Sequence, residues 1–268
     1  LKNPFCEICT GLKFNAIQVR ERSVEDTFKA VRWAQLMYFD HFEFKKDEWK
    51  GSHGEKAAVM AYDNFSGWRR LLAVKDKSTA EAKPAMLNFS GPTEERPSYH
   101  SDRSPELIKA GKDLLWFHFK GVPHRSTSHS KIECEMRIAE DAISCALLQS
   151  GFPTKWWAEA GDHATLSACF SLRGADGKTP FERKFDKPFT GLIWPFGAAN
   201  KYRATPPEIK AHHPFSPKQQ DGLFCGWDVD PGGAFHGNYN IMRLDDFESE
   251  KGNITPRMFV IKEVTLPE

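Results

Sequence analysis

From Met37 to Phe44 the chain alternates large apolar residues with polar ones, a pattern typical of a half-buried strand. Two further apolar runs, Ala57 to Tyr62 and Trp68 to Val74, follow after turns. We therefore expect a three-stranded meander. Asp40 lies in the middle of its first strand.

The segment after the meander carries a helix signal. Ser78 and Glu81 fit a capping box, which predicts a helix that runs to about Phe89. Pro84 lies inside this segment and should kink or shorten the helix, because proline removes a backbone donor and crowds the preceding turn.

A second carboxylate lies where a strand should end. Asp102 follows a short polar stretch, and Ser104 with Pro105 then supplies a hydroxyl cap and a first-turn proline for a new helix. Asp102 is therefore predicted at the end of a short strand. Another short strand is expected from Trp116 to Phe119.

The longest helical pattern runs from about Ile132 to Ser150, and another helix is expected from Lys155 to Phe170. Glu133 lies at the start of the first of these, where a carboxylate ordinarily compensates the helix dipole. The apolar residues predicted to form its buried face are Ile132, Met136, Ile138, Ala139, Ile143, Ala146 and Leu147.

Beyond Leu172 the composition shifts to Gly, Pro, Lys and Asp, which marks a domain boundary. Short strand-like runs separated by turn residues follow, and together they suggest a small barrel. These runs are Gly191 to Phe196, Ala199 to Arg203, Gly222 to Trp227, Tyr239 to Leu244 and Met258 to Val264.

Charge and composition narrow the class of protein. The chain has 268 residues, with 37 Lys and Arg against 36 Asp and Glu, so any basic surface must be local. We find no long apolar run and no signal-peptide pattern in the first residues, and we expect an intracellular protein, in the nucleus or in a cytoplasmic particle, with no membrane contact.

The first cysteines are the only closely spaced pair. Cys6 and Cys9 have the C-x-x-C spacing at which two thiolates can share a tetrahedral zinc ion, but this is half of a site. The alternative is a pair of reduced surface thiols. The other four cysteines are scattered, as expected for reduced thiols.

Asp40, Asp102 and Glu133 stand out by context, one in mid-strand, one at a strand end and one at a helix start. Carboxylates held close together repel one another, and two Mg²⁺ ions would relieve the repulsion and flank a phosphate. With ions about 3.5–4 Å apart, such a site supports in-line displacement at phosphorus.

The motifs around these acids resemble the integrase of copia-type retrotransposons, and the resemblance covers nearly the whole chain. In the core they are AYDNFSGW (61–68), VKDKS (74–78), His100-Ser-Asp102, Ile132-Glu133, SGFPTKWWAEA (150–160) and TPFE (179–182). The Cys6 to Cys9 segment resembles the end of the family's zinc module. Phe196-Gly197, DGLFCGW (221–227) and Lys262-Glu-Val264 resemble its SH3-like barrel.

The resemblance implies an α/β fold: an RNase-H-like integrase core, with a mixed five-stranded sheet flanked by helices, followed by a small all-β SH3-like barrel. The domains would be residues 1–22 (remnant of the zinc module and connector), 23–170 (catalytic core), 171–190 (linker) and 191–268 (barrel). It also implies that Asp40, Asp102 and Glu133 bind two Mg²⁺ or Mn²⁺ ions for 3′-end processing and strand transfer of DNA.

The implied partners are element DNA, target DNA and further copies of the chain. Lys120, Arg125 and Lys131, in a loop rich in cations and hydroxyls, and Arg137 one turn further on, are the candidate phosphate contacts. The alternative for the loop is an ordinary solvated segment. Zn²⁺ at Cys6 and Cys9 would require histidines upstream of Leu1.

Several residues depart from the family pattern. Arg103-Ser104 and His129-Ser130 stand where the family has Asn-Gly, and Cys134 stands where an Arg usually follows the third acid. The alternative function is therefore a decayed or repurposed integrase-like chain that binds nucleic acid or protein, or serves as a structural module. Glu135 is an alternative third ligand.

Overall fold

The computed structural model describes residues 30–101, 104–119, 129–204, 213, 215, 217–248 and 256–266. Within these ranges the chain forms two five-stranded sheets, one mixed and one antiparallel. The mixed sheet consists of β1 (Met37–Glu43), β2 (Ala57–Asp63), β3 (Arg69–Val74), β4 (Ser98–Ser101) and β5 (Phe117–His118).

The mixed sheet has the strand order β3-β2-β1-β4-β5. The first three strands pair antiparallel, whereas β4 pairs parallel to β1 and β5 pairs parallel to β4. The antiparallel meander extended on one side by two parallel strands is the arrangement of an RNase-H-like core. Both the predicted meander and the predicted fold class are confirmed.

Helices cover both faces of this sheet, which explains why every residue of β2 is buried. Phe39 of β1 lies in a core with Phe89, Tyr99 and Leu107 on one side of the sheet. On the other side, the β1 residues Tyr38 and Phe42 pack against a second core. The helices are α1 (Thr79–Ser90), α2 (Pro105–Asp113), α3 (His129–Ser150), α4 (Trp157–Ser171), α5 (Pro180–Phe185) and α6 (Asp245–Glu248).

Helix α1 begins as predicted, with the Ser78 hydroxyl accepting a hydrogen bond from the backbone N–H of Glu81. The predicted shortening at Pro84 is wrong, because the helix continues to Ser90. Its buried face, which includes Met86 and Phe89, packs on the sheet, and this packing holds the turn that the proline weakens. None of the described helices is long and apolar enough to span a bilayer.

The second sheet is a small antiparallel barrel. Its strands are β6 (Ala199–Arg203), β7 (Gln219–Val229), β8 (Phe235–Arg243), β9 (Met258–Ile261) and β10 (Val264–Thr265), and their order in the sheet is β10-β6-β7-β8-β9. Two residues alone, 262 and 263, separate the edge strands β9 and β10. Strands joined so closely cannot lie at opposite edges of a flat sheet, so the sheet curls towards closure.

The strand predicted from Gly191 to Phe196 is wrong, because this segment is irregular. Its backbone groups bond to side chains in place of a neighbouring strand. The Leu192 N–H donates to the Tyr239 hydroxyl at 2.9 Å, and its carbonyl accepts from Nε1 of Trp227 at 2.8 Å. The predicted final strand, Met258 to Val264, is divided into β9 and β10.

The barrel packs directly on the core through the turn between β7 and β8. The Gly232 N–H donates to the Asn88 carbonyl of α1 at 2.7 Å, and the Gly232 carbonyl accepts from Nζ of Lys184 on α5. A Cβ atom at Gly233 would lie 2.3 Å from the Trp68 ring. Because this contact admits no side chain, glycine is required where the turn meets the core.

A buried histidine lies at the same boundary. His163 of α4 stacks on Trp227 of β7 with ring centroids 5.1 Å apart, and its Nε2 lies 2.9 Å from the Trp194 carbonyl. Burial lowers the pKa of His163 to about 4. The imidazole is therefore neutral at pH 7, as the apolar contact with Trp227 requires.

Candidate active site

Asp40 lies on the face of β1 that is covered by α3. Its strand neighbours on that face, Tyr38 and Phe42, pack against the cluster that contains Ile132 and Ile143 of α3. The carboxylate is half-buried, and its Oδ1 accepts a hydrogen bond from the backbone N–H of His41 at 2.7 Å. The strand therefore presents the Asp40 carboxylate towards the α3 side of the sheet.

The second predicted acid, Asp102, lies outside the described residues, but the strand before it is described. Strand β4 pairs in parallel with β1, and the last pair among the described residues is Phe39 with Ser101. Each of these paired residues directly precedes a predicted metal ligand, Asp40 in one strand and Asp102 in the other. The ladder thus runs up to both predicted ligand positions in register.

Glu133 is an exposed residue in the second turn of α3. It makes no hydrogen bond or ion pair within the described residues. Glu133 and Glu140 are seven residues apart, and residues at this spacing lie on the same side of a helix. Glu140 lines a groove of 410 Å³ with Phe42 and Phe44. The flank of α3 that carries Glu133 is therefore the flank that faces β1.

The predicted buried face of α3 is largely confirmed. Ile132 is 1% exposed, and Ala139, Ile143 and Leu147 are also buried. The prediction for Ile138 is wrong, since this side chain is 47% exposed. The helical period accounts for the difference: Ile138 follows Ile132 by six residues, which turns it well away from the face that packs on the sheet.

Opposite Glu133, the other flank of α3 is bound to the hairpin of β2 and β3. Lys131 donates from Nζ to Oδ1 of Asn64 at 2.8 Å, and its Nζ lies 4.6 Å from the centre of the Tyr62 ring. Glu135 forms an ion pair with Arg69 at 2.5 Å. These contacts hold the first turns of α3 in position beside the sheet.

The ion pair bears on the choice of third ligand. The Glu135 side chain is 12% exposed and that of Arg69 is 17% exposed. Burial raises the pKa of Glu135, and the charges of Arg69 and Lys131 oppose this shift. In this conformation the Glu135 carboxylate pairs with Arg69 on the flank of α3 that faces away from Glu133, which favours Glu133 as the third ligand.

A polar cluster that the sequence did not predict connects β1 to the start of α2. Ser104 donates from Oγ to Oε2 of Glu106 at 2.8 Å, and Nδ1 of His41 lies 3.3 Å from the same oxygen of Ser104. His41 directly follows Asp40, and Ser104 is two residues after Asp102. This closeness to both candidate acids was the signal in the sequence that could have identified the cluster.

Ser104 was predicted to cap α2 with its hydroxyl. It is the N-cap residue, but its side chain makes no capping hydrogen bond to the helix backbone. Its hydroxyl proton goes to the Glu106 carboxylate instead. The pKa of Glu106 is lowered mainly by backbone hydrogen bonding within Glu106, and the hydrogen bond from Ser104 lowers it further.

The predicted DNA contacts are only partly described. Lys120 and Arg125 lie outside the described residues, as do Cys6 and Cys9 of the predicted zinc site. Arg137 is exposed, on the same side of α3 as Glu133 one turn earlier. Lys131 is half-buried against Tyr62 and Asn64.

The described residues provide part of a set of metal ligands. Asp40 and Glu133 offer carboxylate oxygens, which are the donors that Mg²⁺ and Mn²⁺ prefer. No three His, Cys, Asp or Glu side chains of the described ranges come together as a metal site. A three-carboxylate site would need Asp102, which those ranges leave out.

No protein-family model matches the chain, and no curated protein matches it significantly. Among solved structures, the chain is similar to the catalytic core domain of BIV integrase, with 17% identity and a TM-score of 0.42 over 57% of this chain and 95% of that one. It is also similar to the HTLV-2 integrase catalytic core domain in complex with magnesium, with 17% identity and a TM-score of 0.42 over 57% and 97% of the two chains.

A third similar structure is the simian T-cell lymphotropic virus intasome in complex with the PP2A regulatory subunit B56 gamma. It shares 14% identity and a TM-score of 0.46 over 90% of this chain and 81% of that one. These are similarities to integrases at low sequence identity.

Proposed function

We propose that this chain is an integrase of the retrotransposon type, a metal-dependent polynucleotidyl transferase that processes the 3′ ends of element DNA and joins them to target DNA. Asp40, Asp102 and Glu133 are the proposed ligands of two Mg²⁺ or Mn²⁺ ions. The observation that carries the proposal is that Asp40 lies on the sheet face covered by α3, with Glu133 on the flank of α3 towards β1.

The parallel pairing of Phe39 in β1 with Ser101 in β4 supports the same site, because Asp40 and Asp102 are the next residues in the two segments. Two carboxylates that share a metal lie about 4 Å apart, and at an effective dielectric constant of 20 they repel by roughly 4 kcal/mol. Bound cations therefore stabilise a fold that brings several carboxylates to one place, because they relieve this repulsion. When bound, two such ions would activate a water or 3′-hydroxyl nucleophile and stabilise the leaving oxygen of the phosphodiester.

The residues of the chain would act by holding the ligands still. The hydrogen bond from the His41 N–H fixes the Asp40 carboxylate, and the packing of Ile132 beneath α3 fixes the turn that carries Glu133. Metal ligands held this way need little rearrangement when the ions and DNA bind.

DNA is the proposed partner, with the phosphates contacted by Lys120, Arg125, Lys131 and Arg137. Arg137 is exposed on the side of α3 that carries Glu133, so a strand whose phosphate lies at the metal site could also reach this guanidinium. Assembly with further copies of the chain is part of the proposal, because integration joins two DNA ends to one target.

Calorimetric titration with Mn²⁺ tests the metal site. We expect the wild type to bind and the Asp40→Asn and Asp102→Asn variants to bind more than 10-fold more weakly, since even changes outside the ligands cost about 10–100-fold in affinity. Glu140→Gln is the matched control, because Glu140 shares the flank of Glu133 two turns further along. It should bind like the wild type.

Catalytic activity is measured as nicking of supercoiled plasmid DNA in the presence of Mn²⁺. Asp40→Asn should abolish this nicking. Absence of Mn²⁺ binding by the wild type, or equal binding by the aspartate variants, would contradict the catalytic proposal. DNA binding that persists without any metal binding would instead support the alternative, a repurposed nucleic-acid-binding module, which the departures at Arg103 and Cys134 motivate.

A further inference from the structure

A groove lies along α3, beyond the candidate metal ligands. One wall is α3, and the other contains Phe42, Phe44 and Trp49 from the end of β1 and the segment after it. Glu140 and Leu147, both on the α3 wall, are seven residues apart, which corresponds to about 10 Å of helix. The groove has a volume of 410 Å³, within the range of about 300–1,000 Å³ that is usual for ligand-binding pockets.

Aromatic rings form the apolar part of the groove. Phe44 packs on Trp157 of α4 with ring centroids 4.6 Å apart, and the Trp49 ring lies at 80° to the Phe44 ring, with centroids 6.5 Å apart. Nε1 of Trp157 donates to the Trp49 carbonyl at 3.1 Å, which holds the turn that carries Trp49. These contacts preform the groove, so binding would require little rearrangement.

Trp49 is unusually exposed for so large an apolar residue. It is 48% exposed, and Phe42 and Phe44 beside it are half-buried. Apolar surface left in water costs about 25 cal/mol per Å², and a contiguous exposed apolar patch typically marks a site where another molecule binds. The rings therefore indicate that the occupant carries a large apolar side chain.

The charged residues of the groove indicate the polar part of the occupant. Glu48 and Glu140 line it, one on each wall. The Glu140 carboxylate makes no hydrogen bond or ion pair within the described residues. Burial raises the pKa of Glu140, and a cation held beside the carboxylate would favour its charged form.

A lysine of the chain itself shows that the Glu48 wall accepts a cation. Nζ of Lys46 lies 4.7 Å from the centre of the Trp49 ring and 3.5 Å from the Glu48 carboxylate. An indole face and a carboxylate together thus hold an alkylammonium group there. Lys155 is the single cation among the described residues that line the groove, and its Nζ lies 5.9 Å from the Trp156 ring.

We propose that the groove binds a peptide segment of a partner protein, in which a large apolar side chain lies close to a lysine or arginine. The apolar side chain would pack between Phe44 and Trp49, and the cation would pair with Glu140. Nucleic acid fits less well, because Glu48 and Glu140 would face its phosphates. This inference does not depend on the proposed catalytic function, since the groove uses none of the candidate metal ligands.

The probe is a phage-displayed library of random dodecapeptides, selected on the immobilised full chain. Enriched peptides are then synthesised and titrated by fluorescence anisotropy. We expect a motif that combines an aromatic or aliphatic residue with Lys or Arg. Trp49→Ala should weaken binding of such a peptide by about 30-fold, the usual effect of truncating an aromatic anchor, and Glu140→Lys should weaken it by about 10-fold or more.

Asp141→Lys is the matched control, because it makes the same change of charge at the next residue of α3, which does not line the groove. It should bind the peptide within about 2-fold of the wild type, as surface changes outside a contact usually do. Glu140→Lys should in turn bind a version of the peptide whose cation is replaced by glutamate, and it should bind this version more tightly than the wild type does.

Four results would overturn the proposal. Peptides that bind Trp49→Ala and Glu140→Lys as tightly as the wild type would bind elsewhere on the chain. Equal losses in Asp141→Lys and Glu140→Lys would indicate a general effect of charge in place of a pair with Glu140. Enrichment of apolar peptides without a cation would remove the charge pairing. If no peptide is enriched and Trp49→Ala lowers self-association in sedimentation equilibrium, the occupant is a second copy of the chain.

Discussion

The ion pair between Arg69 and Glu135 should determine stability without contributing to metal binding. The perturbation is Arg69→Met, which retains an apolar side chain of similar length and removes the charge. It leaves the Glu135 carboxylate buried, at 12% exposure, without its partner at 2.5 Å. The expected result is a loss of stability that depends on pH.

The magnitude follows from the burial of both groups. Removing one partner of a buried ion pair costs about 3–5 kcal/mol, because the remaining charge is uncompensated. The residual solvent exposure of both side chains reduces this cost, and we expect Arg69→Met to lower the free energy of unfolding by about 2–3 kcal/mol near pH 7. Arg69 also donates from Nε to the Gly67 carbonyl at 3.3 Å, a bond that contributes about 1 kcal/mol of this loss.

The pH dependence has a definite sign. Burial already raises the pKa of Glu135, and Arg69 opposes that shift, so removing Arg69 raises the pKa further. When the pKa of a carboxyl group is higher in the folded state, the free energy of unfolding is highest below the unfolded pKa, 4.5. It falls as the pH rises through the folded pKa, because the folded chain must then carry the buried charge. The destabilisation should therefore be small near pH 4 and complete at neutral pH.

The assay is urea unfolding of the wild type, Arg69→Met, and the Arg69→Met/Glu135→Leu double variant at pH 4 and pH 7. Replacing a buried ion pair by apolar residues is often neutral or stabilising, so the double variant should recover most of the lost stability. It should also retain its Mn²⁺ affinity, whereas Glu133→Gln should lose affinity with little change in stability.

Two results would contradict these roles of Arg69 and Glu135. A double variant as unstable as Arg69→Met would mean that the loss does not come from the unpaired Glu135 carboxylate. Loss of Mn²⁺ binding in the double variant, together with normal binding by Glu133→Gln, would identify Glu135 as the metal ligand and Glu133 as a surface residue.

Three further predictions concern other parts of the molecule. Gly233→Ala should lower the free energy of unfolding by several kcal/mol, because its Cβ would lie 2.3 Å from Trp68. Gly177→Ala, at a similar φ of 75° but with open space around it, should cost only about 1 kcal/mol, and equal losses of the two variants in thermal unfolding would contradict the contact with Trp68. The free energy of unfolding should fall by about 3 kcal/mol between pH 6.5 and pH 4, because the pKa of His163 is about 4 in the folded chain and the unfolded chain binds the proton first. His163→Gln should reduce this dependence of stability on pH, and an unchanged dependence would exclude His163 as its source. Arg137→Ala should reduce the slope of log DNA affinity against log salt by about one, and an unaltered slope would remove this residue from the DNA surface.

Local patterns predicted most of the strands and helices of the core. Alternation from Met37 to Phe44 is confirmed by β1, and four of the predicted residues, Ile132, Ala139, Ile143 and Leu147, lie on the buried face of α3. These predictions succeeded because burial of one face imposes a period on neighbouring residues. The pattern also favoured a strand from Gly191 to Phe196, which is wrong because tertiary hydrogen bonds to Trp227 and Tyr239 replaced the sheet.

The candidate site was also predictable only in part from the sequence. Its acids could be proposed from their local contexts taken together, since Asp40 lies in mid-strand, Asp102 follows a predicted strand and Glu133 lies near the start of a helix. The supporting contacts could not. Arg69 and Glu135 are 66 residues apart, and His41 and Ser104 are 63 apart, so no local period connects them. Nothing in the sequence around Glu135 distinguishes a buried partner of arginine from a surface carboxylate.

Local sequence patterns predicted the strands and helices of the mixed-sheet core and most of the buried face of α3, and they singled out the three candidate acids. Only the tertiary structure decided which flank of α3 carries a possible ligand and which is bound to β2 and β3, and that the barrel docks on the core through Gly232 and Gly233. The reason is physical: periodicity records which side of an element is buried, whereas hydrogen bonds and ion pairs between distant residues depend on how the packed elements approach one another.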